Sequence, residues 1–190
     1  MLLYIHVPFC RRKCRYCAFY STPLPCSGDE MAVYLSALYA ELGQWGRRLG
    51  RVPVESVFFG GGTPSLLDPD QLAGVLDCVG RMFEVLPGAE ISMEANPDSL
   101  HTAEKASGVL AAGVNRISLG VQSLHDGMLE RLGRLHRADA AREAFRAIPK
   151  VKKPKFRWRN LPHYALIELW LAADVFRYIG YRIMRFFKIR

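Results

Sequence analysis

Three cysteines within eight residues constrain this chain more than any other feature. Cys10, Cys14 and Cys17 are spaced C-x3-C-x2-C directly after a short apolar run. A structural zinc site takes four protein ligands, whereas three thiolates can hold a 4Fe-4S cluster and leave one iron open to a ligand that is not protein. The spacing therefore predicts a cluster with an open iron, and the alternative is a zinc site completed by His6 or Cys26.

Short apolar runs alternate with amphipathic segments along the first three quarters of the chain. This pattern predicts strands at residues 2–7, 54–59, 89–94 and 115–119, and helices at about 29–46, 69–82, 102–112, 123–132 and 137–148. Such alternation is typical of a parallel sheet with right-handed crossovers, either doubly wound or part of a β/α barrel. In both folds, ligands bind at the carboxyl ends of the strands.

Four motifs follow the predicted strands at those carboxyl ends. The cysteines follow the first strand, Gly60-Gly61-Gly62-Thr63-Pro64 the second and Gly120-Val121-Gln122 the fourth, while Glu94 ends the third. Glycines allow backbone groups to approach a ligand closely, and a carboxylate at a strand end can bind an ammonium or hydroxyl group. The alternatives are a tight turn for the glycines and a solvated charge for Glu94.

Longer strings around these motifs resemble a known family. They are Tyr4-Ile5-His6-Val7-Pro8-Phe9, the glycine loop through Ser65, Glu94-Ala95-Asn96-Pro97 and Arg116-Ile117-Ser118-Leu119-Gly120-Val121-Gln122-Ser123. With the cysteines, they resemble radical S-adenosylmethionine (SAM) proteins of the branch containing oxygen-independent coproporphyrinogen III oxidase and the haem chaperone HemW, over about residues 1–148. The resemblance implies an α/β fold, an incomplete β/α barrel of about four β/α units, and the residue pattern of the tail adds a C-terminal amphipathic helix.

The resemblance also implies a site for two cofactors. Cys10, Cys14 and Cys17 would bind a 4Fe-4S cluster, whose fourth iron is chelated by the amino and carboxylate groups of SAM. Contacts to SAM would come from Tyr4, Tyr16, Gly61, Gly62, Thr63, Glu94, Gln122 and Arg134. Residue type alone would equally place Arg134 on a solvated helical face and His136 at the surface.

One position favours a branch of this family. The oxidase carries a further cysteine two positions beyond its last cluster ligand, where this chain has Phe19, as the HemW branch does. The resemblance therefore implies a HemW-like haem chaperone that binds haem or a porphyrin and serves a haem-acceptor protein. The alternative is oxidative decarboxylation by an oxidase-type enzyme. Because the later barrel strands are not predicted in this chain, we expect a truncated barrel that limits activity.

Charge divides the chain into two predicted regions. Residues 1–149 hold 15 Lys and Arg against 16 Asp and Glu, whereas residues 150–190 hold 11 against 2. We expect a radical SAM core over 1–149 and a basic tail over 150–190 that is unlike the family. A helix at about 165–190 would have a basic and an apolar face, suited to a membrane surface or to a sheet edge. Nucleic-acid binding is not expected, because the core is close to neutral.

The amino-terminal residues carry no secretory signal, since the first apolar run is short and leads at once into the cysteine loop. We therefore expect a cytoplasmic protein, with peripheral contact at the inner face of the membrane through the tail. In a reducing compartment, the five cysteines are expected to be ligands and bystanders rather than disulfides.

Overall fold

The structure, a computed structural model, describes residues 1–24 and 29–149. Within these ranges the elements follow one another as β1 (Leu2–Val7), β2 (Phe9–Cys10), β3 (Thr22–Pro23), α1 (Asp29–Leu49), β4 (Pro53–Gly61), a 3-10 turn (Pro64–Leu66), α2 (Pro69–Met82), β5 (Glu84–Ala95), α3 (Ala103–Ala111), β6 (Arg116–Leu119), α4 (Asp126–Leu132) and α5 (Ala138–Ala147). Strands and helices alternate as predicted.

A parallel sheet in the order β1-β4-β5-β6 forms the centre of the fold. Val7 lies opposite Gly61 in β4, and Ala95 of β5 lies opposite Leu119 of β6. The strands therefore end at nearly the same level, and the segments that follow them meet at one edge. The predicted α/β class with a parallel sheet is confirmed.

The hydrophobic core lies between the sheet and its helices. Val54, Val57 and Phe59 of β4 are fully buried. In α2, the buried side chains recur at helical spacing, which turns one face of the helix to the core: Leu72, Val75, Cys78 and Val79. The start of α2 at Pro69 follows from the sequence, because the Asp68 N–H donates to Gln71 Oε1 at 2.9 Å in a capping arrangement.

The first helix is longer than predicted, because Gly46 lies inside it rather than at its end. A Cβ at Gly46 would lie 2.9 Å from the Met82 side chain, so the glycine allows α1 to pack closely on α2. The helix ends at Leu49, and Gly50 then takes a left-handed conformation with a φ of 72°. Its N–H donates to Gly46 O at 2.9 Å, as at many helix C-termini.

Two predictions fall outside the described residues. They are the helix at about 165–190 within the basic tail and the role of Cys26 as a fourth ligand. Among the residues that the structure describes, no helix combines the length and apolar character needed to cross a membrane.

Candidate functional site

The cysteine loop leaves the carboxyl end of β1 and is closed at its base by a short pair of strands. The Thr22 N–H donates to Pro8 O at 2.8 Å, and the Leu24 N–H donates to Cys10 O at 2.7 Å. This pairing of β2 with β3 buries Cys10, whereas Cys14 and Cys17 are only half-buried. The loop therefore has a fixed base and a more accessible tip.

The tip of the loop is tied to the turn between α4 and α5. The Arg15 N–H donates to Leu132 O at 3.1 Å, and the Arg12 guanidinium donates to the carbonyl oxygens of Gly133 and Arg134, each at 2.9 Å. Gly133 has a φ of 73°, and a Cβ there would lie 3.2 Å from Arg15 Cγ. A glycine is thus needed for this close approach.

Two of the three cysteine sulfurs have hydrogen-bond donors beside them. The Thr63 hydroxyl donates to Cys10 Sγ at 3.5 Å, and Arg134 Nη1 donates to Cys14 Sγ at 3.4 Å. All three thiols are free of disulfides. Hydrogen bonds of this kind stabilise the thiolate form, which is the form that binds metal.

The glycine loop after β4 lies directly against the cysteine loop. Gly61 has a φ of 111°, and a Cβ there would lie 2.7 Å from the His6 ring. A Cβ at Gly62 would lie 2.5 Å from the carbonyl oxygen of Phe9. Gly61 and Gly62 therefore allow the backbone to pass beneath the residue that precedes Cys10.

Glu94 lies beside the glycine loop and near Tyr4 and His6, which are hydrogen-bonded to each other. Its Oε2 accepts from the Gly61 N–H at 3.3 Å. Burial raises the pKa of Glu94 above its ordinary value of 4.5, although the Gly61 hydrogen bond and the nearby His6 oppose the shift. The pKa of the Tyr4 hydroxyl is also raised, mainly by burial and to a smaller extent by the negative charge of Glu94. The carboxylate therefore lies half-buried among polar groups.

Both ring nitrogens of His6 are already engaged. Nε2 lies 2.9 Å from Tyr20 O, and because a carbonyl only accepts, this nitrogen carries the proton. Nδ1 then accepts from the Tyr4 hydroxyl at 3.0 Å. His6 would have to break one of these bonds to complete the alternative zinc site.

Arg134 links the cysteine loop to the ends of two strands. Its guanidinium donates through Nη2 to Asn96 Oδ1 at 2.6 Å and to Gly120 O at 2.8 Å, while Nη1 contacts Cys14. The residue is 9 % exposed and lies between α4 and α5. The alternative position on a solvated helical face is therefore wrong.

Asn96 is a site residue that the sequence reasoning missed. It follows β5. Its side-chain Oδ1 accepts a hydrogen bond from Arg134 Nη2, and its Nδ2 donates to the Thr63 hydroxyl at 3.1 Å. One amide thus orients both groups that donate to cysteine sulfurs. Its signals in the sequence were its place two residues after Glu94, at the end of a predicted strand, and its membership of the string Glu94-Ala95-Asn96-Pro97 that resembles the family.

Gln122 and Tyr16 lie at the margin of the site. Gln122 has a φ of 63°, and within the described ranges it is the one non-glycine residue with positive φ. Such strain is retained chiefly where a side chain or backbone group serves a function. Tyr16 is 41 % exposed, and partial burial raises the pKa of its hydroxyl while Arg134 opposes the shift.

His136 corrects a further expectation. It is 4 % exposed, and its Nε2 lies 3.1 Å from Val121 O, whereas the neighbouring Leu135 is exposed. Burial lowers the pKa of His136. The surface position is wrong because the turn after α4 folds inward over the segment that follows β6.

The residues present fit a 4Fe-4S cluster by their chemistry. Across the described ranges, no group of three or more His, Cys, Asp or Glu side chains is arranged as it stands to hold a metal ion. One loop nevertheless carries three free thiols, and Thr63 and Arg134 place a hydroxyl and a cation against two of them. Thiolate ligands with donors to sulfur are what such clusters require.

Comparison with known proteins decides the family. The model of the radical SAM superfamily matches residues 4–162. The chain belongs to the radical SAM superfamily. Membership implies a 4Fe-4S cluster and SAM as cofactors. The cluster agrees with the prediction from the cysteine spacing, and SAM agrees with what the family resemblance implies.

The chain is also similar to individual proteins of known name. The heme chaperone HemW of Haemophilus influenzae is 38 % identical over 146 residues, which cover 75 % of this chain and 38 % of that protein. The oxygen-independent coproporphyrinogen III oxidase of Bradyrhizobium diazoefficiens is 33 % identical, over 98 % of this chain and 44 % of that protein. The structure of the coproporphyrinogen III oxidase HemN from Escherichia coli matches with a TM-score of 0.71 and 27 % identity, over 77 % of this chain and 34 % of that one.

The predicted resemblance to this branch is thereby confirmed, and so is a partial barrel of the radical SAM type. The chain spans less than half the length of each of these relatives. The family model ends at residue 162, and the boundary between a core at 1–149 and a tail at 150–190 stays a prediction.

Proposed function

We propose that this protein binds a 4Fe-4S cluster and SAM and acts in haem metabolism as a HemW-like haem chaperone. The observation that carries the proposal is the convergence on the cysteine loop, which follows β1, of the segments that follow β4, β5 and α4. Thr63 reaches Cys10, Arg134 reaches Cys14, and Asn96 bonds to both Thr63 and Arg134. Cys10, Cys14 and Cys17 are the proposed cluster ligands.

Around the cluster ligands, the remaining residues are suited to hold SAM. In the oxidase alternative, the bound cluster would supply the single electron that cleaves the sulfonium C–S bond of SAM. The Glu94 carboxylate, which accepts from the Gly61 N–H, can also accept from an ammonium or from ribose hydroxyls. We assign further contacts to Gly61 and Gly62, where the lack of a side chain allows a close approach, although the N–H groups of both are bonded within the protein. We assign the other contacts to Tyr4, Tyr16, Thr63, Gln122 and Arg134.

Two exposed aromatic side chains support a role with haem. Phe19, which stands where the oxidase has its extra cysteine, is 66 % exposed, and Tyr20 is 83 % exposed. Both lie in the cysteine loop, so flat apolar faces are available next to the proposed cluster. A tetrapyrrole offers a matching flat apolar surface. The similarity of the chain to the heme chaperone HemW of Haemophilus influenzae supports a role with haem.

Haem binding and SAM turnover separate the chaperone from an enzyme. We expect the reconstituted protein to bind haem, to pass it to an apo-cytochrome, and to do so without forming 5'-deoxyadenosine. Phe19→Ser is expected to weaken haem binding about fivefold, because an aromatic contact contributes about 1 kcal/mol. Phe145→Ser is the matched control, since Phe145 is 62 % exposed on α5. Equal haem affinities for both variants would contradict the proposal.

The second candidate is an oxidase-type activity, favoured by the relative that matches 98 % of this chain and by the HemN structure. Its test is anaerobic incubation with coproporphyrinogen III, SAM and a reductant. Loss of carboxyl groups from the porphyrinogen, with SAM consumed in proportion, would support the oxidase and overturn the chaperone assignment. Haem transfer without SAM consumption would do the reverse.

The charge of residues 150–190, with 11 basic against 2 acidic side chains, carries a third proposal. We propose that this tail is a separate region that contacts anionic lipid at the inner face of the membrane. Vesicles containing phosphatidylglycerol are expected to pellet the full chain at low salt. Deleting residues 150–190 is expected to abolish pelleting, and unchanged pelleting would contradict the proposal.

A further inference from the structure

Arg134 is a buried cation with an unusual set of partners. Within the described ranges, its guanidinium contacts neutral oxygens and the sulfur of Cys14, and no carboxylate pairs with it. Its Nε is buried and has no hydrogen-bond partner. Burying an uncompensated charge is costly, so the arrangement is built for a negative group. The sulfur of Cys14 lies 3.4 Å from Nη1 and would supply that group as a thiolate when it binds metal.

The position of Arg134 is fixed from two sides. Asn96 Oδ1 and Gly120 O hold Nη2 at 2.6 and 2.8 Å, which directs Nη1 to the cysteine sulfur. Arg12 holds the backbone, because its guanidinium donates to the carbonyl oxygens of Gly133 and Arg134. The cysteine loop thus holds, through Arg12, the turn that places Arg134 next to Cys14.

We propose that Arg134 is a positioning residue that tunes the cluster: by donating to the Cys14 thiolate, it raises the reduction potential. In reduction, the cluster accepts one electron from an external one-electron reductant and no proton is transferred. The cluster and its thiolates therefore become more negative by one charge. A buried guanidinium bonded to sulfur stabilises this reduced form more than the oxidised form.

This inference rests on the proposed cluster, yet it does not depend on SAM turnover or on haem. It also differs from the SAM contact already assigned to Arg134, because the effect is present before SAM is added. The two roles can therefore be separated by measuring the potential of the cluster in the absence of SAM and then adding SAM to the same sample.

The test is a redox titration of the full, reconstituted protein, followed by the EPR signal of the reduced cluster without SAM. We expect Arg134→Gln to shift the midpoint potential to a more negative value at unchanged iron content. Arg137→Gln removes the same charge three residues away. Its side chain is 80 % exposed and bonds to Asp126, so we expect almost no shift.

Asn96→Ala provides a second variant that keeps the guanidinium. Without Asn96 Oδ1 to hold Nη2, we expect a smaller shift in the same direction. If Arg134→Gln fails to retain iron, an unchanged potential in Asn96→Ala overturns the tuning role. Equal shifts for Arg134→Gln and Arg137→Gln, or no shift in either, would also overturn it.

The outcomes for the cluster and for its tuning are distinguishable. A wild-type protein that takes up no iron would overturn both the proposed function and this inference. If the protein takes up about four irons per chain, as a 4Fe-4S cluster requires, but the midpoint potential is the same in wild type and Arg134→Gln, the tuning role alone is overturned.

Discussion

The two parts of β4 serve different purposes, although they belong to one strand. In its first part, Val54, Val57 and Phe59 are fully buried and contribute side chains to the core. In its last part, Gly60 and Gly61, followed by Gly62, contribute no side chain, and added Cβ atoms would meet neighbouring groups at 2.7 Å or less. Side-chain volume is essential in the first part and is excluded in the second.

This difference teaches where stability and site geometry are determined. A loss of volume in the apolar part should weaken folding and leave the cysteine loop intact in the folded molecules. A gain of volume in the glycine part should displace the cysteine loop at a smaller cost in stability. Two predictions test this division, and two more concern polar residues of the site outside β4; the four follow in order of decreasing effect on stability.

Phe59→Ala tests the apolar part. We expect a loss of about 3–5 kcal/mol in the free energy of unfolding, because a fully buried aromatic side chain leaves a cavity. Urea unfolding followed by circular dichroism measures it. The folded fraction should still take up iron. Loss of iron uptake with unchanged stability would reverse the roles of the two parts.

Gly62→Ala tests the glycine part. Because its Cβ would lie 2.5 Å from the Phe9 carbonyl oxygen, we expect Phe9 and Cys10 to move and most iron uptake to be lost, with a destabilisation of about 1–3 kcal/mol. Gly80→Ala is the control. Gly80 lies within α2 with nothing within 4 Å of an added Cβ, so a gain of about 0.5–1 kcal/mol is expected.

Iron content after anaerobic reconstitution, together with the urea midpoint, compares the two glycine variants. Equal iron content in Gly62→Ala and Gly80→Ala would show that the close approach at Gly62 has no part in the site.

Gln122→Gly tests strain at the margin of the site. The φ of 63° costs a residue with a side chain about 1 kcal/mol, and glycine avoids this cost. Part of the gain is lost, because glycine also increases the conformational entropy of the unfolded chain. We therefore expect stability to rise by less than about 1 kcal/mol while SAM affinity, measured by calorimetry, falls. Gln122→Ala keeps the strain and removes the amide. Unchanged affinity in both variants would leave Gln122 without a role.

Glu94 is expected to have the smallest effect on stability, seen as a change in how the free energy of unfolding depends on pH. Because burial raises its pKa in the folded state, the folded protein binds the proton more tightly than the unfolded chain does. Stability from this group is present below pH 4.5 and is lost as the pH rises through the higher folded value. Glu94→Gln should remove that part of the dependence in urea titrations, and an identical pH profile would contradict it.

The alternation of apolar runs and amphipathic segments predicted the sheet well, because the longer strands and the helices each bury apolar residues of their own. The length of β5 was missed, since Pro87 and Gly88 resemble a turn. In the structure the pairing register of β4 shifts between Val54 and Ser56, whose partners are Val85 and Glu90, so the intervening residues stay in the strand. A bulge of this kind has no periodic signal.

The site was predictable in its composition but not in its contacts. The cysteines, the glycines and Glu94 stand out because their residue types are unusual at strand ends. Asn96 and Arg134 are 38 positions apart, and their bond depends on the folded arrangement of β5 and the α4–α5 turn. Single-sequence patterns carry no information on such long-range pairs.

The most direct test of the account is the EPR spectrum of the reduced, reconstituted protein with and without SAM, alongside iron analysis and a Cys14→Ala control. We predict about four irons per wild-type chain, a spectrum that changes when SAM is added, and loss of both in Cys14→Ala. Stoichiometric zinc in place of iron, or a cluster whose spectrum ignores SAM, would contradict the open-iron site at Cys10, Cys14 and Cys17.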